Sequence, residues 1–433
     1  MTQTFFNRPR PVCLAFLLCA LALGAAAQGS GTIGSSDSAR SGGGPSASFR
    51  RVLVRTTPKR AKPKPAPGKR PVAPKLDADD YLEQGQDLVE AKKYQEALIS
   101  FRQALKLRPR FPEALYEIGW VYNEVEQYEA AIPPLQEALR YQPRYAEAFN
   151  ELGYANRKLR KYSDAAENYR QAVAIKPNYA LALFGLGDSY YYGTKEYKPA
   201  LDAYQRGLRA DTTPRPQVNF NIGWILNELE RYMEAVGYLE TALRQQLERP
   251  ETAYFELGYA YYKQKQNADA IRHYRQAANI RADYAQAYFG LGDVYYNNTQ
   301  QYAEAAQAYA QGLRLDPANA VAQYRLGWCY NDLKRYREAI APLREAMRLK
   351  PEFITAYVEL GYSYYALKQY NDAATLFKEA VQAEPNNSLA YYYMGLNYLA
   401  WGRRNDAMQT YRTLQGIDQK RAQQLLDAIN KSR

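Results

Sequence analysis

Glycine returns along this chain at a nearly fixed interval, and that interval limits the fold more than any other feature. It stands at 85, 119, 153, 187, 223, 258, 292, 327, 361 and 395, with spacings of 34, 34, 34, 36, 35, 34, 35, 34 and 34. Twelve residues after most of these glycines comes alanine: Ala97, Ala131, Ala165, Ala235, Ala270, Ala339, Ala373 and Ala407. Four residues further on, an aromatic residue or leucine follows, from Phe101, Leu135 and Tyr169 to Leu343, Phe377 and Tyr411. Pro109, Pro143, Pro177, Pro317, Pro351 and Pro385 close their units. At 433 residues a single compact core is not expected. A unit of about 34 residues cannot bury its apolar faces alone, so neighbouring copies must stack on one another.

The residue chemistry suits a helical hairpin in each unit. Glycine and alanine provide small surfaces where two helices approach closely, the large residues fill the spaces beside them, and proline ends the preceding helix. This pattern resembles the tetratricopeptide repeat. The ninth unit matches it throughout, with Tyr357, Leu360, Gly361, Tyr364, Ala373, Phe377, Ala380 and Pro385. The resemblance implies an all-α protein, a right-handed α-solenoid of tandem antiparallel hairpins with a concave groove. It covers residues 77–417 as about ten units. Beyond them Ala422, Leu425, Leu426 and Ile429 fall at helical spacing, so 418–433 is expected to form a one-sided capping helix.

A longer period of about 104 residues lies beneath the first. Gly119-Trp120…Asn123-Glu124 recurs as Gly223-Trp224…Asn227-Glu228 and again as Gly327-Trp328…Asn331-Asp332. The following unit reads Leu-Gly-Tyr at Tyr154, Tyr259 and Tyr362, and the third reads Leu-Gly-Asp at Asp188 and Asp293. Both of those third units carry one extra residue, expected between the helices, which delays alanine to Ala200 and Ala305. A block of three hairpins has been copied about three times. Duplication alone explains such likeness, so recurrence is not evidence of function.

In each first helix, the residues three before, one after and four after the glycine are spaced i, i+4 and i+7 and share one face. The family resemblance makes that face the lining of the groove. It carries Tyr116, Trp120 and Asn123, then Tyr154, then Phe184, Asp188 and Tyr191. Phe220, Trp224 and Asn227 follow, with Phe255, Tyr259 and Tyr262 after them. The set continues through Phe289, Asp293 and Tyr296, then Tyr324, Trp328 and Asn331, and ends at Tyr362 and Tyr365. Two readings of this face stand side by side: its aromatics pack on one another to stiffen the array, or they receive an extended ligand while amides fix its register.

The formal charge of +12 suggests nucleic acid only until it is located. Residues 1–27 hold Arg8 and Arg10 and no acid, and residues 28–76 hold 11 basic residues against Asp37 alone. Residues 77–433 are left with 44 basic and 44 acidic side chains, so the repeat region is neutral. Residues 1–27 read as a secretory signal peptide: the basic start is followed by an apolar run from Val12 to Ala27 ending in Gly24-Ala25-Ala26-Ala27. Its 16 residues are short of the roughly 20 needed to span a bilayer. Leu18 before Cys19 argues against lipidation. The chain is therefore expected in the periplasm or outside the cell, with no transmembrane span once cleaved after Ala27. Residues 28–76, Gly/Ser-rich and then Lys/Arg/Pro-rich, are expected to be a disordered spacer or a tether to an anionic surface.

Chemistry is hard to find. The lone histidine, His273, sits in a second helix away from the groove face and reads as a plain surface residue. Cys329 replaces Val121 and Ile225 of the sister copies and reads as a small core hydrophobe. No metal-ligand spacing, phosphate loop or nucleophile motif occurs, so neither an enzyme nor a cofactor is expected. The expectation is a protein–protein interaction scaffold of the cell envelope that holds an extended partner segment in an aromatic groove. A glycan is the alternative ligand, since sugar rings stack on aromatic faces and the chain also resembles tetratricopeptide scaffolds of polymer export. No nucleic-acid partner is expected, because the leader would send the chain out of the cytoplasm.

Overall fold

Each glycine-centred segment forms the first helix of a hairpin, and each alanine-centred segment forms the second. The computed structural model describes residues 76–432. The expected leader, and the tail up to Lys75, lie outside them. The first four hairpins are α1 (Ala78–Glu90) with α2 (Tyr94–Leu107), α3 (Pro112–Glu124) with α4 (Tyr128–Tyr141), α5 (Ala146–Lys158) with α6 (Tyr162–Ile175), and α7 (Ala180–Asp188) with α8 (Tyr197–Ala210). Three more are α9 (Pro216–Glu228) with α10 (Tyr232–Arg244), α11 (Pro250–Lys263) with α12 (Asn267–Ile280), and α13 (Ala285–Asp293) with α14 (Tyr302–Leu315). The last three are α15 (Ala320–Asp332) with α16 (Tyr336–Leu349), α17 (Ile354–Ala366) with α18 (Tyr370–Ala383), and α19 (Ser388–Ala400) with α20 (Arg404–Gln415). Helix α21 (Gln419–Lys431) follows. Each hairpin packs on the next, giving a right-handed α-solenoid with no strand among the described residues.

Local sequence sets the helix ends. Pro112, Pro216 and Pro250 occupy the first turn of their helices, where the missing N–H costs nothing. Each first helix is followed by one left-handed residue, such as Lys334 at φ 61°. There the Arg335 N–H reaches back to the Tyr330 carbonyl at 2.8 Å, closing the helix and reversing the chain into α16.

The repeat glycines are small because large side chains sit on them. A Cβ on Gly119 would come within 2.4 Å of Leu135 Cγ, and one on Gly361 within 2.7 Å of Phe377 Cε1. The alanine of every unit, from Ala97 to Ala407, is fully buried. Leu135, Tyr204, Leu239, Tyr309, Leu343 and Phe377 are likewise completely enclosed between hairpins, each burial worth roughly 2 kcal/mol. At the end of the array the same logic continues with a substitute. Leu425 of α21 is fully buried and its Cδ2 would meet a Cβ on Gly395 at 2.4 Å, so the capping helix covers the last glycine.

The irregular spacings have three local causes. The extra residue of the two Leu-Gly-Asp units does not lie between the helices as expected. It is absorbed in π-helical turns that extend the first helix, Ser189–Thr194 after α7 and Val294–Thr299 after α13. The unit at Gly223 instead lengthens the turn after α10, where Gln246 takes φ 60° and Leu247 folds inward. A further residue falls in the Asp211–Arg215 turn after α8.

His273 also departs from expectation. It is 8% exposed, not on the surface, because its ring lies between Tyr254 and Tyr261 at centroid distances of 5.9 and 5.3 Å. Burial and the adjacent Arg272 lower its pKa. Cys329 is fully buried, as Val121 and Ile225 are in the sister copies, and burial pushes its thiol up.

Candidate functional site: the inner face of the first helices

The first helices lie side by side, and the residues expected on their open face divide into two sets. Those four after the glycine turn toward the next unit. Asn123, Asn227 and Asn331 are each only 2% exposed. Asn123 Nδ2 donates to the Glu151 carbonyl oxygen and to its Oε2, both at 3.0 Å. Asn227 Nδ2 does the same to Glu256 O at 3.1 Å and Oε2 at 2.8 Å, and Asn331 Nδ2 to Glu359 O at 3.1 Å and Oε2 at 2.9 Å. These amides clamp one first helix to the next, where the sequence reading had them fixing the register of a ligand. Side-chain spacing identifies a face, but adjacent helices cover part of that face.

Within the clamp the three copies differ by one hydroxyl. Asn331 Oδ1 accepts from Ser363 Oγ at 2.7 Å. The sister positions hold Ala155 and Ala260, and Asn123 Oδ1 and Asn227 Oδ1 are buried with no hydrogen-bond partner.

The two aspartates are also engaged from behind. Tyr204 donates its hydroxyl to Asp188 Oδ1 at 2.8 Å, and Arg157 of the preceding unit stands 3.3 Å from Asp188 Oδ2. Tyr309 donates to Asp293 Oδ1 at 2.5 Å, but here the cation, Arg325, comes from the following unit. Each carboxylate ties together three helices of two adjacent hairpins.

The second set, one after the glycine, remains at the surface from the third unit onward. Tyr154, Trp224, Tyr259, Trp328 and Tyr362 are all partly exposed. A recurring feature of the second helices, missed in the sequence reading, supports them. Their first residue is usually tyrosine, and its ring meets the exposed residue of the next unit edge-on: Tyr128 with Tyr154, Tyr197 with Trp224, Tyr232 with Tyr259 and Tyr336 with Tyr362, at 5.3 to 6.1 Å. The recurrence of tyrosine nine or ten residues after the glycine was the available signal.

The π turns add a second brace. They place Tyr191 against Trp224 at 5.3 Å and Tyr296 against Trp328 at 5.2 Å, with the Tyr296 hydroxyl donating to Asp332 at 2.8 Å. Tyr262 accepts from Asn297 Nδ2 at 3.1 Å. Tyr365 packs on Tyr362 at 6.2 Å. At the start of the array the face is closed: Tyr116 and Trp120 are each 5% exposed, and Tyr116 packs on Tyr145 at 5.1 Å. Trp120 Nε1 is buried without a partner. Such rings, held by neighbours, present area at low entropy cost.

Electrostatics are uneven along this face. Burial raises the Glu256 carboxyl to about 7, opposed by the Asn227 hydrogen bond and assisted by the charge of Glu228. Among the described residues no three His, Cys, Asp or Glu side chains group as a metal site, and no helix is long and apolar enough to cross a membrane.

Four family models match the chain. One described as TPR repeat covers residues 85–125, 157–193 and 258–298, and three described as tetratricopeptide repeat cover 112–145, 289–352 and 364–429. No curated protein matches the sequence. Among solved structures, MamA is 23% identical, with 40% of this chain and 94% of that one covered and a TM-score of 0.38. PilF of Pseudomonas aeruginosa is 16% identical over 48% and 94%, with a TM-score of 0.41, and yeast Tom70 is 12% identical over 82% and 95%, at 0.34. The repeat spacing, the glycine-on-leucine and glycine-on-aromatic packing and the family models agree: this chain belongs to the tetratricopeptide repeat proteins.

Proposed function

We propose that the array is a scaffold that binds an extended segment of a protein partner along the inner face of its first helices. One observation carries this reading. A row of large aromatic residues, Tyr154, Trp224, Tyr259, Trp328 and Tyr362, stays partly exposed although the same architecture fully encloses equally large rings elsewhere, such as Tyr204 and Phe377. Each of these residues except Trp328 is braced by the leading tyrosine of the preceding second helix, and Trp328 by the Tyr296 ring. The surface is therefore preordered for contact with little loss of side-chain freedom. The clamped asparagines serve to hold this surface in register. With the leader read from residues 1–27, we place this activity in the cell envelope.

Replacing Trp224 and Trp328 together by leucine removes two rings while keeping apolar bulk. The full chain with both changes should keep its helical circular dichroism and lose at least tenfold in affinity for the proteins that the unaltered chain retains from envelope extract. Unchanged retention contradicts the reading. Loss of retention on adding soluble envelope polysaccharide would replace the protein ligand by a glycan.

A further inference from the structure

The inner face carries a charge that the repeat region as a whole does not. From two residues before the glycine to five after it, the open and inter-helix positions of the first helices hold more carboxylates than cations. Two of the cations are already neutralised, Arg157 by Asp188 and Arg325 by Asp293. The remaining two, Lys158 and Lys263, lie over the Tyr154 and Tyr259 rings at 5.6 and 5.4 Å.

The uncompensated charge gathers between α9 and α11. Glu256 receives the Asn227 amide at 2.8 Å, and Glu228, the next residue after Asn227, is exposed at the end of α9. Neither carboxylate has a lysine or arginine partner among the described residues. The corresponding place one block later is closed, because Tyr296 donates to Asp332. Its counterpart Tyr191 packs on Trp224 as Tyr296 does on Trp328, but it also packs on Tyr192 and makes no hydrogen bond to Glu228. The hydroxyls of Tyr197, Tyr232 and Tyr259 all lie within the field of Glu228. Two carboxylates beside aromatic rings form a surroundings in which an ammonium or guanidinium is held by charge and ring face together, with its methylene stem covering the rings.

We propose that the partner segment is basic, and that one of its lysine or arginine side chains enters between Glu228 and Glu256 with its stem on Trp224 and Tyr259. This rests on the reading of the inner face as a partner-binding surface. Because the repeat region is balanced, such selectivity comes from this face and not from net charge.

The test uses the full chain and three fluorescein-labelled peptides of one length: a Lys-Pro repeat, the same peptide with every lysine Nε-acetylated, and a Glu-Pro repeat. Fluorescence anisotropy at pH 8, where the Glu256 carboxyl is ionised and lysine still carries its proton, should show the Lys-Pro peptide binding at least tenfold tighter than the other two. The Glu228→Gln, Glu256→Gln double variant should lose that tenfold preference while remaining at least as stable as the unaltered chain at pH 8. Equal binding of the acetylated peptide, or an unchanged preference in the double variant, overturns the proposal. The partner reading fails separately: if the Trp224→Leu, Trp328→Leu chain retains envelope proteins unchanged, the surface itself is misassigned. If that chain loses them but the double glutamine variant does not, the surface stands and only its basic selectivity falls.

Discussion

The three asparagine clamps offer a comparison within one molecule, because only one of them is complete. Ser363 Oγ lies 2.7 Å from Asn331 Oδ1, whereas Ala260 leaves Asn227 Oδ1 buried and unpaired. A buried acceptor without a donor costs about 1–3 kcal/mol, and a restored neutral hydrogen bond returns about 1 kcal/mol. Serine is a weaker helix former than alanine by about half of that. The site has room, since Ser363 is itself fully buried in the equivalent place. Ala260→Ser should therefore stabilise the α9–α11 contact by about 0.5–1 kcal/mol, and Ser363→Ala should destabilise α15–α17 by about 1–2 kcal/mol. Stability in a repeat array is local, so a single melting temperature is a poor readout. Hydrogen exchange read by mass spectrometry on peptides from these helices resolves the change. Ala260→Val is the control: it adds bulk without a donor and should slow nothing. If Ala260→Ser accelerates exchange as Ala260→Val does, the hydroxyl is not what completes the clamp, and the reasoning fails.

Two further outcomes follow from burial. The Glu256 carboxyl is held at about 7 against 4.5 unfolded, so between those values the unfolded chain releases a proton that the folded chain keeps. Stability should fall as pH rises from 4.5 to 7, by roughly 3 kcal/mol in all, and level off above. Glu256→Gln should flatten that slope, and urea titrations at several pH values would measure it; an identical slope in the variant refutes the assignment. Gly361→Ala pushes a methyl group into Phe377 and should cost about 1–3 kcal/mol, whereas Gly237→Ala, whose added Cβ meets nothing within 4 Å, should stabilise its helix by somewhat under 1 kcal/mol. Circular dichroism in urea distinguishes them.

Much of this architecture is legible in the sequence because its causes are local or periodic. Glycine, alanine and the large residue recur at the distances where two helices touch, and the capping residues Ala422, Leu425 and Ile429 announce a one-sided helix. What periodicity does not carry is the covering of a face by its neighbour. Asn227 belongs to the same stripe as Trp224, yet one is enclosed by the next helix and the other is not, a difference set by the sideways stacking of units. The partner of that clamp, Glu256, lies 29 residues away; its Glu-Leu-Gly-Tyr phrase recurs at 151, 256 and 359, but recurrence alone does not say that it faces the asparagine of the preceding unit. The extra residue at Asp188 and Asp293 could have entered anywhere before Ala200 or Ala305; only backbone geometry assigns it to a π turn, and with it the placement of Tyr191 and Tyr296. His273 lies off the groove stripe as expected, but the tyrosines that enclose it, Tyr254 and Tyr261, come from the neighbouring first helix.

Partners that meet the inner aromatic face can be caught there by site-specific photocrosslinking. p-Benzoylphenylalanine placed at Tyr259 reports on that face, and at Met233, 81% exposed on α10, on a second helix. Irradiation in envelope extract should join partner polypeptide to position 259, with cross-linked residues running as one continuous extended stretch, and leave position 233 unlabelled. Adducts at 233 with none at 259 would contradict the account.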